Sequence, residues 1–350
     1  MVNSFPPGLF RRTALRLLTH PWVLERAAAR SGGRAAIFML HRFTEPGGSP
    51  TAFATDTLRT HLKWLRKEQY RLVGLETLVD ELREGRPIPP RTVVVTVDDG
   101  YADFLDLAVP IFVEFDCPAT VFVVTDFLDG RHWPWWDRIK YAVLHTRLGR
   151  CQVGVNGTAR QFAWSSTLQR ESAADSITES LKYMPAAARD LAIQTLLAQL
   201  EVELPLKPTV DFAPMRWDQL RSAVSDLISA GPHTVTHPIL AMEDSETATR
   251  EIADSWVRLK QEIPSALPIF CYPNGDGGAF SDREIDVVEA LGLKASVSTR
   301  RGYVAARDYR PGPGTLRSPL PRLSLEGPTH RFVQLASGVE RLKSQLRRNL

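Results

Sequence analysis

Only three cysteines, Cys117, Cys151 and Cys271, occur among 350 residues, an odd count without a CxxC pair. Cys117 and Cys271 stand in apolar, strand-like surroundings, so all three read as reduced thiols rather than a disulfide framework. Long hydrophobic runs are also lacking. A spanning helix needs about 18 consecutive apolar residues, whereas Ala35 to Leu40 and Thr92 to Val97 are among the longest runs here, so no transmembrane segment is expected. The segment after Arg11 and Arg12 is interrupted by Arg16, His20 and Glu25 and offers no secretory apolar region. That pattern reads as a cytoplasmic protein, or one peripheral to the inner face of a membrane. Charge of one sign is scarce as well: 43 basic and 40 acidic residues leave a formal +3, with the basic residues dispersed, so nothing argues for nucleic acid. There is no repeat or low-complexity tract, and 43% apolar residues with 25 Pro and 22 Gly exclude disorder, collagen and coiled coil as whole-chain readings.

What is present is an alternation of short apolar runs and amphipathic segments, the pattern of parallel α/β units. Strands are expected near Ala36–Leu40, Arg71–Val73, Thr92–Val97, Ala119–Val124, Leu227–Ala230, Pro268–Tyr272 and Lys294–Ser298. Helical patterns cover Asp56 to Gln69, Phe104 to Phe115, Glu246 to Ile263 and Ser281 to Leu291, the last with Ser281 as N-cap. The alternation stops between about 131 and 214, where an aromatic cluster and two Ala-rich helical patterns, 172–183 and 186–200, mark an insertion. The organisation expected is an N-terminal helical extension over 1–33, an α/β body over 34–325 and a basic C-terminal helix over 326–350, read as a solvated tail.

Three motifs carry chemistry. Asp98-Asp99-Gly100 directly follows the apolar run Val93 to Val95, which puts two carboxylates at the carboxyl end of a buried strand, where α/β folds place their ligand crevice. As a plain turn, the same tripeptide would simply close the strand. His233-Thr234-Val235-Thr236-His237 also follows an apolar stretch. On one helical turn its two imidazoles would share a face and reach one ion, and an Asp from another strand end would complete a three-ligand site open to water. Phe270-Cys271-Tyr272-Pro273-Asn274-Gly275 breaks a strand into a turn that can aim backbone N–H groups outward.

Together, and in this order, these motifs resemble those of the polysaccharide deacetylases. The resemblance runs from about Arg34 to Leu325 outside the insertion and includes Met39-Leu40-His41-Arg42-Phe43 at the end of the first strand. It implies a deformed seven-stranded (β/α) barrel with a largely helical insertion. It further implies Asp98 as catalytic base, Asp99, His233 and His237 as ligands of one divalent metal ion (Zn2+ foremost, with Co2+, Ni2+ or Fe2+ also suited), and Tyr272, Pro273 and Asn274 as the substrate and oxyanion wall. The reaction implied is hydrolysis of an acetamide on an N-acetylated sugar of a polysaccharide or glycan precursor. The partner expected is thus an acetylated carbohydrate, including a lipid-linked one. Hydrolysis of a non-sugar C–N bond and a turnover-less glycan-binding protein are the alternatives.

The sequence departs from the family pattern twice. Cys271 stands where many members carry an arginine that orients the base, leaving Arg322 or Arg42 as substitutes. The late Leu-x-His motif is replaced by Leu323-Ser324-Leu325, which leaves the general acid to His41 at the end of the first strand. Trp133, Trp135 and Trp136 open the insertion. Indoles this close in sequence cannot all face one ligand, which favours packing over sugar stacking.

Overall fold

The computed structural model describes residues 33–340 apart from 156–157, 276 and 326. Seven parallel strands form its centre: β1 (Arg34–Leu40), β2 (Thr92–Val97), β3 (Ala119–Val123), β4 (Ile228–Pro232), β5 (Ile269–Cys271), β6 (Ala295–Arg301) and β7 (Leu320–Ser324). They stand in sequence order around a ring, with β1 between β2 and β7. β1 runs in register with β2 from Ala35 opposite Thr92 to Leu40 opposite Val97, and meets β7 at Phe38 opposite Leu323. No ladder joins β4 to β5. The gap is spanned by Leu267 N donating to the Ala230 carbonyl at 2.8 Å and His233 Nδ1 donating to the Cys271 carbonyl at 2.7 Å. The fold is the deformed barrel expected.

The strands read as continuous apolar runs because both faces are covered. Along β2, Val93, Val95 and Val97 pack outward under the helices. Val94 points to an interior shared with Ile37, Phe122, Ile269, Val297 and Leu320. Helix α1 (Thr55–Lys67) buries Leu58, Leu62 and Leu65, and α2 (Leu75–Arg83) adds Leu75, Leu78, Val79 and Leu82 to the interior cluster. A π-turn at Phe104–Ala108 leads into α3 (Val109–Glu114). The insertion comprises α4 (Trp135–His145), an antiparallel pair Arg150–Val155 with Thr158–Ala163, α5 (Thr167–Leu181) and α6 (Ala186–Gln199), around its own core of Ile139, Val143, Ile177 and Ile193. Helices α7 (Ser245–Glu262) and α8 (Asp282–Ala290) follow, α8 with the anticipated Ser281 cap closed by Glu284.

Three expectations change. Arg71–Leu72 is only a short strand beside β2 and lies off the ring. The seventh barrel strand is Leu320–Ser324, whose Pro321 and Arg322 interrupt the apolar pattern that would have announced it. The C-terminal segment is not solvated throughout: α9 (Thr329–Ala336) buries Phe332 against Phe38 and His61, because its Phe332, Val333 and Leu335 cover the outer face of the barrel. Residues 341–350 and the N-terminal extension expected over 1–33, residue 33 excepted, lie outside the described residues. All three cysteines are free and buried, and none of the described helices is long and apolar enough to cross a membrane.

Candidate active site

Asp98 and Asp99 leave the carboxyl end of β2, and the backbone parts them. Asp99 adopts a left-handed φ of 76°, which turns consecutive carboxylates in different directions. Asp98 meets Arg322 of β7 in a two-bond fork, Nη1 to Oδ1 and Nη2 to Oδ2, both 2.7 Å. The remaining guanidinium donors are also satisfied: Nε donates to the Ser298 carbonyl, Nη1 to Thr96 Oγ1, and Nη2 to Cys271 Sγ at 3.2 Å. Burial works to raise the Asp98 pKa, but the Arg322 charge and its bonds override it, and the carboxylate lies well below its ordinary range. Of the two candidate substitutes for the missing arginine, Arg322 is thus the one that reaches Asp98. Arg42 instead binds Asp103, Nε to Oδ2 at 2.6 Å.

The two histidines do not sit on a helix, contrary to the reading from their spacing. They flank a loop after β4 in which Thr234 and His237 have φ of 67° and 59°. Two left-handed residues fold the loop back on itself and bring the rings together where a helical turn was expected. Glu251 of α7 clamps it, one oxygen accepting from Val235 N and Thr236 N, the other from Thr236 Oγ1 at 2.6 Å. Both imidazole Nε2 atoms come to 3.6 Å from Asp99 Oδ1. Ligands at 2.0–2.1 Å from a tetrahedral ion would be about 3.4 Å apart, so Asp99, His233 and His237 suit one divalent ion. The Cys271 carbonyl, an acceptor only, fixes the proton on His233 Nδ1 and leaves Nε2 as a lone pair for a metal. Desolvation lowers the His233 pKa to about 4 and holds that of His237 well below the ordinary imidazole value, which favours the neutral rings. Burial, with Asp98 and Asp137 nearby, pushes Asp99 well up, a cost that a bound cation would remove. A second trio, Asp98, His233 and Cys271, is also close enough to hold an ion, but the Arg322 guanidinium already occupies its carboxylate and touches its sulfur.

Asp98, Asp99, His233 and His237 line a cavity of about 370 Å3 with His41, Trp135, Trp136, Asn274 and Thr299, bounded also by Thr178 and Glu179 of α5 and by Lys182 at its end. Asn274 lies on its wall with φ 56°, but Tyr272 does not: it is buried in the core, stacked on Phe280 with ring centroids 3.9 Å apart, and Pro273 is buried beside it. Of the expected oxyanion wall only Asn274 faces the cavity. Gly275 permits its approach, since a Cβ there would stand 2.5 Å from Thr299 N. His41 Nε2 lies 3.9 Å from Asp98 Oδ2 with 45% of its side chain exposed. It also borders a second cavity of about 500 Å3, whose lining mixes Thr44, Ser49, Thr51 and Thr57 with Leu40 and Phe53. The three tryptophans diverge as anticipated. Trp133 packs on Tyr141 and Phe212, whereas Trp135 and Trp136 reach the cavity. Sequence reasoning missed Glu251, Tyr101 and the α5 boundary of the cavity; the amphipathic pattern around Glu251 signals a helix face and nothing of the loop it holds.

The family model for polysaccharide deacetylase matches residues 85–296, more than half of the chain. The chain belongs to the polysaccharide deacetylase family. A curated member, the poly-beta-1,6-N-acetyl-D-glucosamine N-deacetylase of Escherichia coli strain K12, is 36% identical over 75 residues, 21% of this chain and 11% of that protein, so the match spans about a tenth of the relative's length. Solved structures similar to this fold include the deacetylase PplD of Streptococcus pyogenes in complex with acetate, at 18% identity, covering 84% of this chain and 93% of that one with a TM-score of 0.53. IcaB from Ammonifex degensii is similar at 15% identity, covering 87% and 98% with a TM-score of 0.54. At such identities they show the fold.

Proposed function

We propose that this protein is a metal-dependent hydrolase that removes the acetyl group from N-acetylated sugar residues of a polysaccharide. The observation that carries the reading is the pairing of an arginine-locked carboxylate, Asp98, with a neighbouring Asp99, His233 and His237 donor set at the open end of the barrel. The missing arginine at Cys271 is made good, because Arg322 orients Asp98 from another strand.

When bound, a divalent ion, zinc foremost, supplies Lewis acidity toward an acyl oxygen and acidifies a water. The chain's own groups do the rest. Asp98, ionised and held in one rotamer by the fork from Arg322, is placed to accept a proton from the attacking water. His41, across the same crevice, is placed to give a proton to the departing sugar nitrogen. The backbone N–H of Asn274 is the donor for the developing oxyanion. The second cavity beyond His41 gives a polymer room on that side of the reacting residue.

The test measures acetate and free amine released from acetylated oligosaccharides by zinc-loaded protein, with Asp98→Asn in parallel. Equal amounts of both products, lost in Asp98→Asn while its zinc content stays the same, support the proposal. No release from any acetylated sugar, but turnover of a small cyclic amide, would transfer the site to non-sugar substrates.

A further inference from the structure

The two histidines of the proposed metal set are held by different means. His233 has the hydrogen bond that fixes its ring, Nδ1 to the Cys271 carbonyl. His237 has none to another residue: its Nδ1 is buried, and among the described residues only its own backbone lies near it. A metal-binding imidazole normally donates its other N–H to an acceptor that sets the ring plane. Something else must prevent His237 from turning about its side-chain bonds.

Trp136 meets the His237 ring edge to face, with centroids 4.6 Å apart and planes at 65°. The His233 ring stands on it at 4.8 Å and 82°. Trp136 is itself fixed. Its indole Nε1 donates to the Tyr101 hydroxyl at 2.9 Å, and that hydroxyl donates to Asp137 Oδ2 at 2.6 Å. Arg42 lies over the Tyr101 ring at 4.0 Å and is in turn bound to Asp103. The chain of contacts therefore runs from the DDG loop, which Tyr101 directly follows, through the first turn of the insertion to the last metal ligand.

We infer that Trp136 is a positioning residue for the metal centre, taking for His237 the part that a backbone carbonyl takes for His233. The insertion then belongs to the metal site and is not an appendage to a complete barrel. The inference rests on Asp99, His233 and His237 as ligands.

Zinc affinity by chelator competition and the visible absorption of the cobalt(II) form, which reports ligand geometry, test it in the parent, Trp136→Phe and Trp136→Ala. Trp136→Ala should bind zinc about 10 to 100-fold more weakly, the range for loss of such supports, and its cobalt spectrum should change shape. Trp136→Phe keeps an aromatic face against His237 and should recover most of both. If Trp136→Ala does not fold by circular dichroism, Trp136→Leu replaces it, filling volume without an aromatic face. A folded Trp136→Ala or Trp136→Leu with parental zinc affinity and cobalt spectrum, and only a raised KM for oligosaccharide, would overturn the inference and make Trp136 a sugar platform. A parent that binds neither metal would refute the metal centre and the inference with it, which separates that failure from the first.

Discussion

Arg322 is a fully buried charge whose every donor is used, and such a group is destabilising to remove singly because its partner is left in the dark without compensation. Arg322→Met is expected to cost about 3–5 kcal/mol in urea unfolding, and the double variant with Asp98→Asn distinctly less. Arg322→Lys keeps the charge but not the fork, so kcat should fall by about 100-fold or more while zinc content stays parental. His41 is nearly half exposed and contributes little to packing. His41→Gln should leave the unfolding midpoint unchanged and lower acetate release by about 100-fold; an unchanged rate would remove it as proton donor. At this scale the sequence told most about residues next to their motif. Asp98, Asp99, His233 and His237 are legible because neighbours in the chain announce them, whereas Arg322, Glu251 and Trp136 act across the fold: Arg322 is found by asking what replaces the missing arginine, Trp136 is noticed but reads as packing, and Glu251 gives no signal.

Among the elements, Gly231 illustrates how closely β4 is pressed. A Cβ there would lie 2.6 Å from the Phe122 ring and 2.9 Å from the Ile269 carbonyl. Gly231→Ala should therefore destabilise by about 1–3 kcal/mol in thermal or urea unfolding, and by widening the β4–β5 gap that His233 spans, it should also lower metal content. The elements that escaped notice did so for separate reasons. β7 was hidden by Arg322, a charge in a barrel strand that the pattern of apolar runs cannot anticipate. The histidine loop imitates a helix because a spacing of four is also what two left-handed residues can bring together. The pair Arg150–Val155 and Thr158–Ala163 did carry a signal, alternating Cys151, Val153 and Val155 before an Asn-Gly dipeptide, which the helical character of the insertion obscured. So did α2, whose Leu75, Leu78, Val79 and Leu82 repeat at helical spacing.

For the whole molecule, the docking of α9 on α1 has a pH signature. His61 is buried against Phe332 with ring centroids 4.0 Å apart, and desolvation, only partly offset by the Gly327 backbone, lowers its pKa from about 6.5 to about 4. The unfolded chain takes up the proton as pH falls below 6.5, the folded one only near 4, so acid favours unfolding throughout that window. Between pH 7 and pH 5 the parent should lose about 2 kcal/mol more stability than His61→Leu, measured as urea midpoints at both values. Equal slopes would refute it.

Asp98 and the Arg322 guanidinium that clamps it are 224 residues apart, one just past the second strand of the ring and the other on the last. A polypeptide emerging from the ribosome thus acquires the proposed metal ligands and the proposed base long before the group that orients that base. A product cut off at residue 296, where the family match ends, would keep Asp98, Asp99, His233 and His237 yet lack most of β6 and all of β7, the strands that complete the ring and supply Arg322. On the function proposed, final closure of the barrel is in this sense a checkpoint on hydrolysis: only the finished chain has its base armed.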